Sequence, residues 1–137
     1  MDRFMFRAMK KAADRLPVLG RTARTLGVRV SVLGAVPEEP PRFDVYPDAS
    51  GHVAPGQGLS VALDDPRGLP KHRKPQALGG EGRDPVFSLP VNAVDKVLSL
   101  NEDRPPHALI EPAIRCSLEE YEAALAGTRS SWRVYDV

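Results

Sequence analysis

The chain has 137 residues and a mass of 14.9 kDa, which is the size of one ordinary domain. Hydrophobic residues make up 42% of it and charged residues 27%, so most of the chain should fold. No apolar run is long enough to span a bilayer, and the single cysteine, Cys116, excludes an internal disulfide.

The formal net charge of +1 hides an uneven distribution along the chain. Residues 1–29 carry eight basic and two acidic groups, whereas the remaining residues carry eleven basic and sixteen acidic groups. A basic head therefore precedes an acidic body. Because no strong overall field results, nucleic acid is disfavoured as a partner.

The first element in chain order is a predicted basic amphipathic helix over residues 2–16. Apolar residues from Met5 onward recur at helical spacing, while arginines and lysines crowd the other positions. Pro17 ends the helix, because the residue before a proline avoids the helical conformation. We predict a basic helical extension over 1–26, which docks on the body or binds a partner, and a folded domain over 27–137.

Short apolar runs in the rest of the chain predict strands. The predicted strands lie at 28–33, 43–46, 59–63, 86–89, 108–110 and 132–135. Proline and glycine turns separate them, and the connection over 64–84 is long and irregular. Ser117, with Glu120 three residues later, has the pattern of a helix N-cap and predicts a helix in the C-terminal region. The elements together predict an α+β fold.

A few residues have side chains that could carry chemistry. The three histidines and one cysteine lack the spacing of a metal site, and no phosphate-loop or dinucleotide motif is present. Lys71 and Arg73 belong to a cationic cluster that is either a solvated loop or a clamp for a nucleotide or RNA phosphate. His107 and Glu111 flank an apolar strand, so they would face one side, roughly 13 Å apart, as two walls of a cleft or as ordinary rim residues.

The order of several short motifs along residues 27–132 resembles that of small bacterial effector toxins of type VI secretion systems. Their fold is similar to that of ADP-ribosyltransferases. The motifs are Arg29 in a valine run, Gly58-Leu-Ser-Val61, Asp64-Asp-Pro-Arg-Gly-Leu-Pro-Lys-His-Arg73, Gly79-Gly-Glu-Gly-Arg-Asp-Pro-Val86, His107-Ala-Leu-Ile-Glu-Pro112 and Ser117-Leu-Glu-Glu-Tyr121.

The resemblance implies a split, strongly bent pair of small sheets, with NAD bound as the substrate in the cleft between them. It implies that Arg29 grips NAD and that Ser60 supports its nicotinamide ribose. Lys71 and Arg73 would neutralise its phosphates.

Glu111 would act at the bond that breaks, with His107 beside it and Ser60 completing the catalytic set. Related transferases often carry Glu or Gln two residues before this glutamate, whereas Leu109 stands there in this chain.

The resemblance further implies a toxin that cleaves NAD and transfers ADP-ribose to a target. Such a protein is made in the cytoplasm of its producer and is secreted or injected into the cytosol of a target cell. A cognate immunity protein would bind it, and the N-terminal helix would contact a secretion apparatus or chaperone. Two alternatives remain open from the residues alone: an RNA-directed toxin that uses His72 and His107 with the Lys71–Lys74 cluster, and a non-enzymatic interaction module.

Overall fold

An antiparallel six-stranded sheet organises residues 3–136, the part of the chain that this computed structural model describes. The strands are β1 (Phe4–Ala8), β2 (His52–Val53), β3 (Leu59–Leu63), β4 (Val86–Pro90), β5 (Leu98–Arg104), β6 (His107–Pro112), β7 (Cys116–Ser117) and β8 (Arg133–Val134), and the α-helix is α1 (Leu118–Gly127). The sheet has the order β5-β6-β3-β1-β4-β8, and β2 pairs with β7 separately. The predicted mixed α+β class is confirmed.

The predicted helix over residues 2–16 is wrong. Residues 4–8 form β1, which pairs with β3 on one side and with β4 on the other. Met5 and Arg7 face one side of the sheet and Phe6 the other, so the same residues fit a period of two as well as a helical period. These residues form a strand and not a helix because a strand here pairs along both edges and is buried on both faces. The predicted basic helical extension over 1–26 therefore begins as a central strand; residues 1, 2 and 137 lie outside the described part.

The valine run over 28–33 also differs from its prediction. It makes only an isolated bridge between Val30 and Val45, and the chain turns at Gly34 with a φ of 78°. Arg29 therefore lies in an irregular segment and not in a strand. The predicted strands at 59–63, 86–89 and 108–110 are confirmed as β3, β4 and β6, and the run at 132–135 contributes β8.

Helix α1 begins where its cap sequence predicts. The Glu120 amide donates to the Ser117 hydroxyl at 3.1 Å, which satisfies an amide that has no partner within the helix. Tyr121 and Leu125 are buried and belong to the main hydrophobic core, together with Phe87 and Trp132. Among residues 3–136, no helix has the length and apolar character needed to cross a membrane.

One face of the sheet packs against α1 in the main core. The other face, called the outer face, is only partly covered. Leu69, from the long 64–84 connection, packs there with Phe6, Ala62 and Val86 in a second, smaller cluster. Beyond this cluster, the outer face of β3 and β6 carries polar side chains under two loops. The candidate site lies at this part of the sheet.

Candidate functional site

A groove of about 290 Å³ lies on the outer face of β3 and β6. Its floor contains Ser60 and Leu109, which are directly paired across the two strands. One wall is the proline-rich segment 37–46, and the other is the turn at 56–58. The wall residues are Pro37, Pro41, Phe43, Asp44, Tyr46, Gly56, Gln57 and Gly58.

Tyr46 fixes the conformation of the proline-rich wall. Its hydroxyl accepts hydrogen bonds from the amides of Arg42 and Phe43, at 2.9 and 3.2 Å, and donates to Glu38 at 2.5 Å. Its own amide donates to the Gln57 side chain at 2.7 Å, which joins the two walls. An irregular segment is therefore held in one shape by hydrogen bonds from a single side chain.

Asp44 presents a carboxylate in the groove wall and is held by Arg29. The Arg29 Nε and Nη2 donate to the two Asp44 oxygens at 3.2 and 3.0 Å, and the Arg29 amide donates at 2.8 Å. These hydrogen bonds raise the pKa of Arg29 above its ordinary value. Among the described residues, the Arg29 Nη1 makes no hydrogen bond and is available to an anion. Sequence analysis missed Asp44, because an acid in a proline-rich segment has no diagnostic spacing.

Glu111 lies on the same outer face, two residues beyond Leu109, and its side chain is covered by the turn at Gly56. The Gly56 amide donates to the Glu111 Oε1 at 3.4 Å. No other described residue hydrogen-bonds this carboxylate, yet no fully buried side-chain oxygen in residues 3–136 lacks a partner. Glu111 is thus buried, with 8% of its surface exposed, its Oε2 is not fully enclosed, and it does not itself line the groove.

The close approach of β3 to Glu111 requires glycine at position 58. A Cβ there would lie 2.3 Å from the Ile110 carbonyl oxygen and 3.0 Å from the Glu111 Cα. Both distances are shorter than ordinary van der Waals contact. Gly58 therefore sets the spacing between the floor of the groove and Glu111.

His107 lies on the other side of Leu109 along β6. Its Nδ1 is 2.7 Å from the Asp103 Oδ1, so the carboxylate orients the ring, and Nε2 lies outside this contact. Alternation along the strand puts His107 and Glu111 on the same face as Ser60, and both histidine and glutamate lie about 7 Å from Leu109 by strand rise. The sheet register thus brings the three sequence-predicted catalytic residues to one face, although of the three only Ser60 lines the groove.

A buried arginine, Arg7, donates a hydrogen bond to the backbone of Ser60. The Arg7 guanidinium donates to the Ser60 carbonyl oxygen at 2.9 Å and to the Thr25 carbonyl oxygen at 3.0 Å, with longer bonds to three other carbonyls in 22–27. Burial lowers its pKa to about 10, so it remains a cation at neutral pH. Sequence analysis missed this role, because Arg7 was assigned to the exposed face of a helix.

Of the four sequence-predicted ligands of NAD, Ser60 lines this groove, whereas Arg29, Lys71 and Arg73 do not. Lys71 is exposed, with its Nζ 3.4 Å from the Glu81 carboxylate. Arg73 lies near Asp84, whose pKa is lowered first by hydrogen bonds from Arg24 and also by the charge of Arg73. The long connection therefore carries its cations to a different part of the surface.

A second cluster combines serine, histidine and aspartate but lacks the geometry of a hydrolase triad. The Ser50 hydroxyl lies 2.7 Å from the Asp48 Oδ1 and 2.9 Å from the His52 Nδ1. In a triad the carboxylate holds the ring nitrogen opposite the one that contacts serine. Here Asp48 is 4.0 Å from the same nitrogen and pairs with Arg115, so the cluster stabilises a turn.

Cys116 is also a structural residue. It pairs with Val53 between β7 and β2 and is buried. Burial raises the pKa of its thiol, which favours the unreactive protonated form. The groove at Ser60 is therefore the better candidate for chemistry.

Comparisons of the chain with known protein families, with curated proteins and with solved structures found no significant match. The candidate function consequently depends on the groove and its side chains.

Proposed function

We propose that the groove at Ser60 binds NAD and that the protein breaks the bond between nicotinamide and ribose. The observation that carries the proposal is a groove lined by the Ser60 hydroxyl, the Phe43 and Tyr46 rings and the Asp44 carboxylate, with Glu111 next to it. The Glu111 carboxylate lies behind the groove turn at Gly56, on the same face of the sheet as Ser60. At about 290 Å³, the groove suits the nicotinamide–ribose end of NAD, and the remaining half would extend over the rim.

The chemistry follows from charge. When the bond breaks, its electron pair leaves with nicotinamide, and positive charge develops on the ribose carbon. In the ground state the positive charge is delocalised over the nicotinamide ring. A carboxylate beside the ribose carbon therefore stabilises the transition state more than the ground state, as in glycoside cleavage. Glu111 has one oxygen held by the Gly56 amide and another that is not fully enclosed, which suits this role.

The remaining groups would orient NAD and complete the reaction. The Ser60 hydroxyl can hydrogen-bond the ribose, and the Arg29 Nη1 can bind a phosphate while Asp44 keeps the guanidinium in place. The ribose carbon then bonds to the oxygen of water or of a target molecule, which loses a proton. We propose that a target is the principal acceptor, so that ADP-ribose is transferred.

The test is nicotinamide release from NAD by the purified protein, with and without bacterial lysate. We expect Glu111→Gln to lower kcat by about 10²–10³-fold with little change in KM, as for other groups that stabilise transition-state charge. Glu81→Gln removes a carboxylate on the exposed long connection and should leave the rate unchanged. Equal rates for wild type and Glu111→Gln, or no release from wild type with lysate, would overturn the proposal.

RNA cleavage is a second candidate, supported by the 2.7 Å contact between His107 and Asp103. A histidine oriented in this way can take the proton of a ribose 2′-hydroxyl, whose oxygen then attacks the neighbouring phosphate. The bond from phosphorus to the 5′-oxygen of the next nucleotide breaks, and that oxygen takes up a proton. Labelled RNA incubated with wild type and His107→Gln distinguishes this candidate. Cleavage that His107→Gln abolishes and Glu111→Gln preserves would favour RNA as the substrate over NAD.

We also propose that the protein acts in the cytosol of a target cell and that a cognate inhibitory protein covers the groove. The segment next to the proline-rich wall supports such a partner. Val32, Leu33 and Val36 in it are 78%, 58% and 83% exposed. Exposed apolar residues close together are typical of protein-binding surfaces.

A further inference from the structure

A basic groove lies on another part of the surface from the Ser60 groove. It has a volume of about 660 Å³, and its charged lining residues are Lys10, Lys11, Arg24, Arg83 and Asp84. These come from three stretches of the chain: the end of the N-terminal strand, the 22–27 loop and the end of the long connection. None of the six residues singled out for catalysis or NAD binding lines it.

Backbone hydrogen bonds hold the three stretches together. The Lys10 amide donates to the Arg24 carbonyl at 2.7 Å, and the Met9 amide donates to the Pro85 carbonyl at 3.1 Å. The Gly82 amide donates to the Lys74 carbonyl at 2.8 Å, which brings the cationic 71–74 loop against the groove. The positive side chains are therefore presented by a fixed scaffold.

The groove carries a surplus of positive charge. Arg24 and Asp84 neutralise each other through two hydrogen bonds of 2.7 Å. Lys10, Lys11 and Arg83 form no ion pair with any described residue and have exposed side chains. The basic groove thus holds three uncompensated cations although the whole chain carries only +1.

The chemistry of the lining favours a ligand with repeated phosphates. The three free cations come from two stretches of the chain that line an open groove, so a run of phosphates can contact both stretches, whereas a single small anion needs donors that converge on one point. The described lining contains no aromatic side chain, so bases cannot stack there. The uncharged residues are Pro75, Pro85 and Gly82, which offer contact without discriminating between bases.

We propose that the basic groove binds the phosphodiester backbone of nucleic acid without reading its sequence. The net charge of +1 disfavours nucleic acid only because the positive charge of the basic head and the negative charge of the acidic body nearly cancel. The proposal rests on neither candidate activity of the Ser60 groove, since binding requires neither NAD nor cleavage.

The test is fluorescence anisotropy with a labelled single-stranded RNA of about 20 nucleotides, in about 50–200 mM salt. Three phosphate contacts to a single strand predict a slope of about −2 for log K against log salt, or about 20-fold weaker binding across that range. Replacing all three free cations by glutamine (Lys10→Gln, Lys11→Gln, Arg83→Gln) should weaken binding at low salt at least tenfold and flatten the slope.

A matched control removes the same charge from exposed residues elsewhere: Arg42→Gln, Lys96→Gln and Arg104→Gln. We expect the control protein to keep most of the affinity and the salt slope of wild type. RNAs of different sequence should bind equally, because only their phosphates are contacted.

Three outcomes would overturn the proposal. They are no binding by wild type at low salt, an equal loss of affinity in the groove and control proteins, and displacement of RNA by polyglutamate as effectively as by unlabelled RNA. The last would assign the groove to an acidic protein partner. Because the binding assay contains no NAD, failure here is separable from failure of NAD cleavage.

Discussion

Replacing Arg7 by methionine tests whether the buried guanidinium holds β1, β3 and the 22–27 loop together. Methionine has a similar length and keeps much of the packing, but it removes every hydrogen bond to the surrounding carbonyls. The two shortest of these reach Ser60 and Thr25, at 2.9 and 3.0 Å. A buried acceptor left without a donor costs about 1–3 kcal/mol, so two of them cost about 2–6 kcal/mol.

Part of that loss is offset, because the folded protein no longer has to bury a charge. We therefore expect Arg7→Met to lower the free energy of unfolding by about 2–4 kcal/mol. With a urea m-value near 2 kcal/mol/M, the unfolding midpoint should fall by about 1–2 M. Arg7→Lys keeps the charge and some of the hydrogen bonds, so its midpoint should lie between the two.

Arg3→Met is the matched control, since Arg3 precedes the same strand but forms exposed ion pairs with Asp64 and Glu102. Exposed pairs of this kind contribute about 0–1 kcal/mol. Equal urea midpoints for Arg7→Met and Arg3→Met would refute the argument that carbonyl hydrogen bonds make Arg7 structurally important.

Three further predictions concern stability. Tyr121→Phe removes the hydroxyl that accepts from the Leu59 amide at 3.1 Å and donates to the Ile110 carbonyl at 2.5 Å, so urea unfolding should show a loss of about 2–4 kcal/mol. An unchanged urea midpoint would contradict the conclusion that the Tyr121 hydroxyl stabilises the protein by linking Leu59 and Ile110. Ser117→Ala removes the cap of α1 and should cost about 1 kcal/mol in thermal unfolding, whereas Ser117→Asp should not. Hydrogen bonds from Arg24 hold the pKa of Asp84 below its ordinary value of 3.8. The resulting stability is present above pH 3.8 and is lost as pH falls further, so Asp84→Asn should show a shallower loss in acid-unfolding curves.

Local signals in the sequence predict the elements whose conformation depends on nearby residues. The Ser117 cap needs only the amide three residues later, so the start of α1 is predictable. The apolar runs at 59–63 and 107–112 contain enough β-branched and aliphatic residues to be identified as strands. In β1, by contrast, Met5 and Met9 fit both a helix and a strand, and the pairing that decides comes from residues more than fifty positions away.

The candidate site was predictable only in part. His107 and Glu111 stand out because they flank an apolar run, and Ser60 stands out through the resemblance; register puts all three on one face. Asp44 and Arg7 had no such signal, because their importance depends on which backbone or guanidinium they meet in the folded protein. The basic groove was likewise predictable only in part: Lys10, Lys11 and Arg24 belong to the basic head of the sequence, whereas Arg83 joins them only in the folded protein.

The central position of β1 also has a consequence for the order of folding. β1 precedes both of its partners in the chain and lies between them. Neither of its edges can pair until residues as far along as Leu63 and Pro90 have been synthesised. Contacts between such distant residues make folding slow, because the chain must lose the entropy of a long loop before strand pairing can stabilise it. Until then, the apolar strand Phe4–Ala8 is an unpaired edge that can associate with other chains. Occupying β1 with a chaperone during synthesis would therefore protect this protein from aggregation.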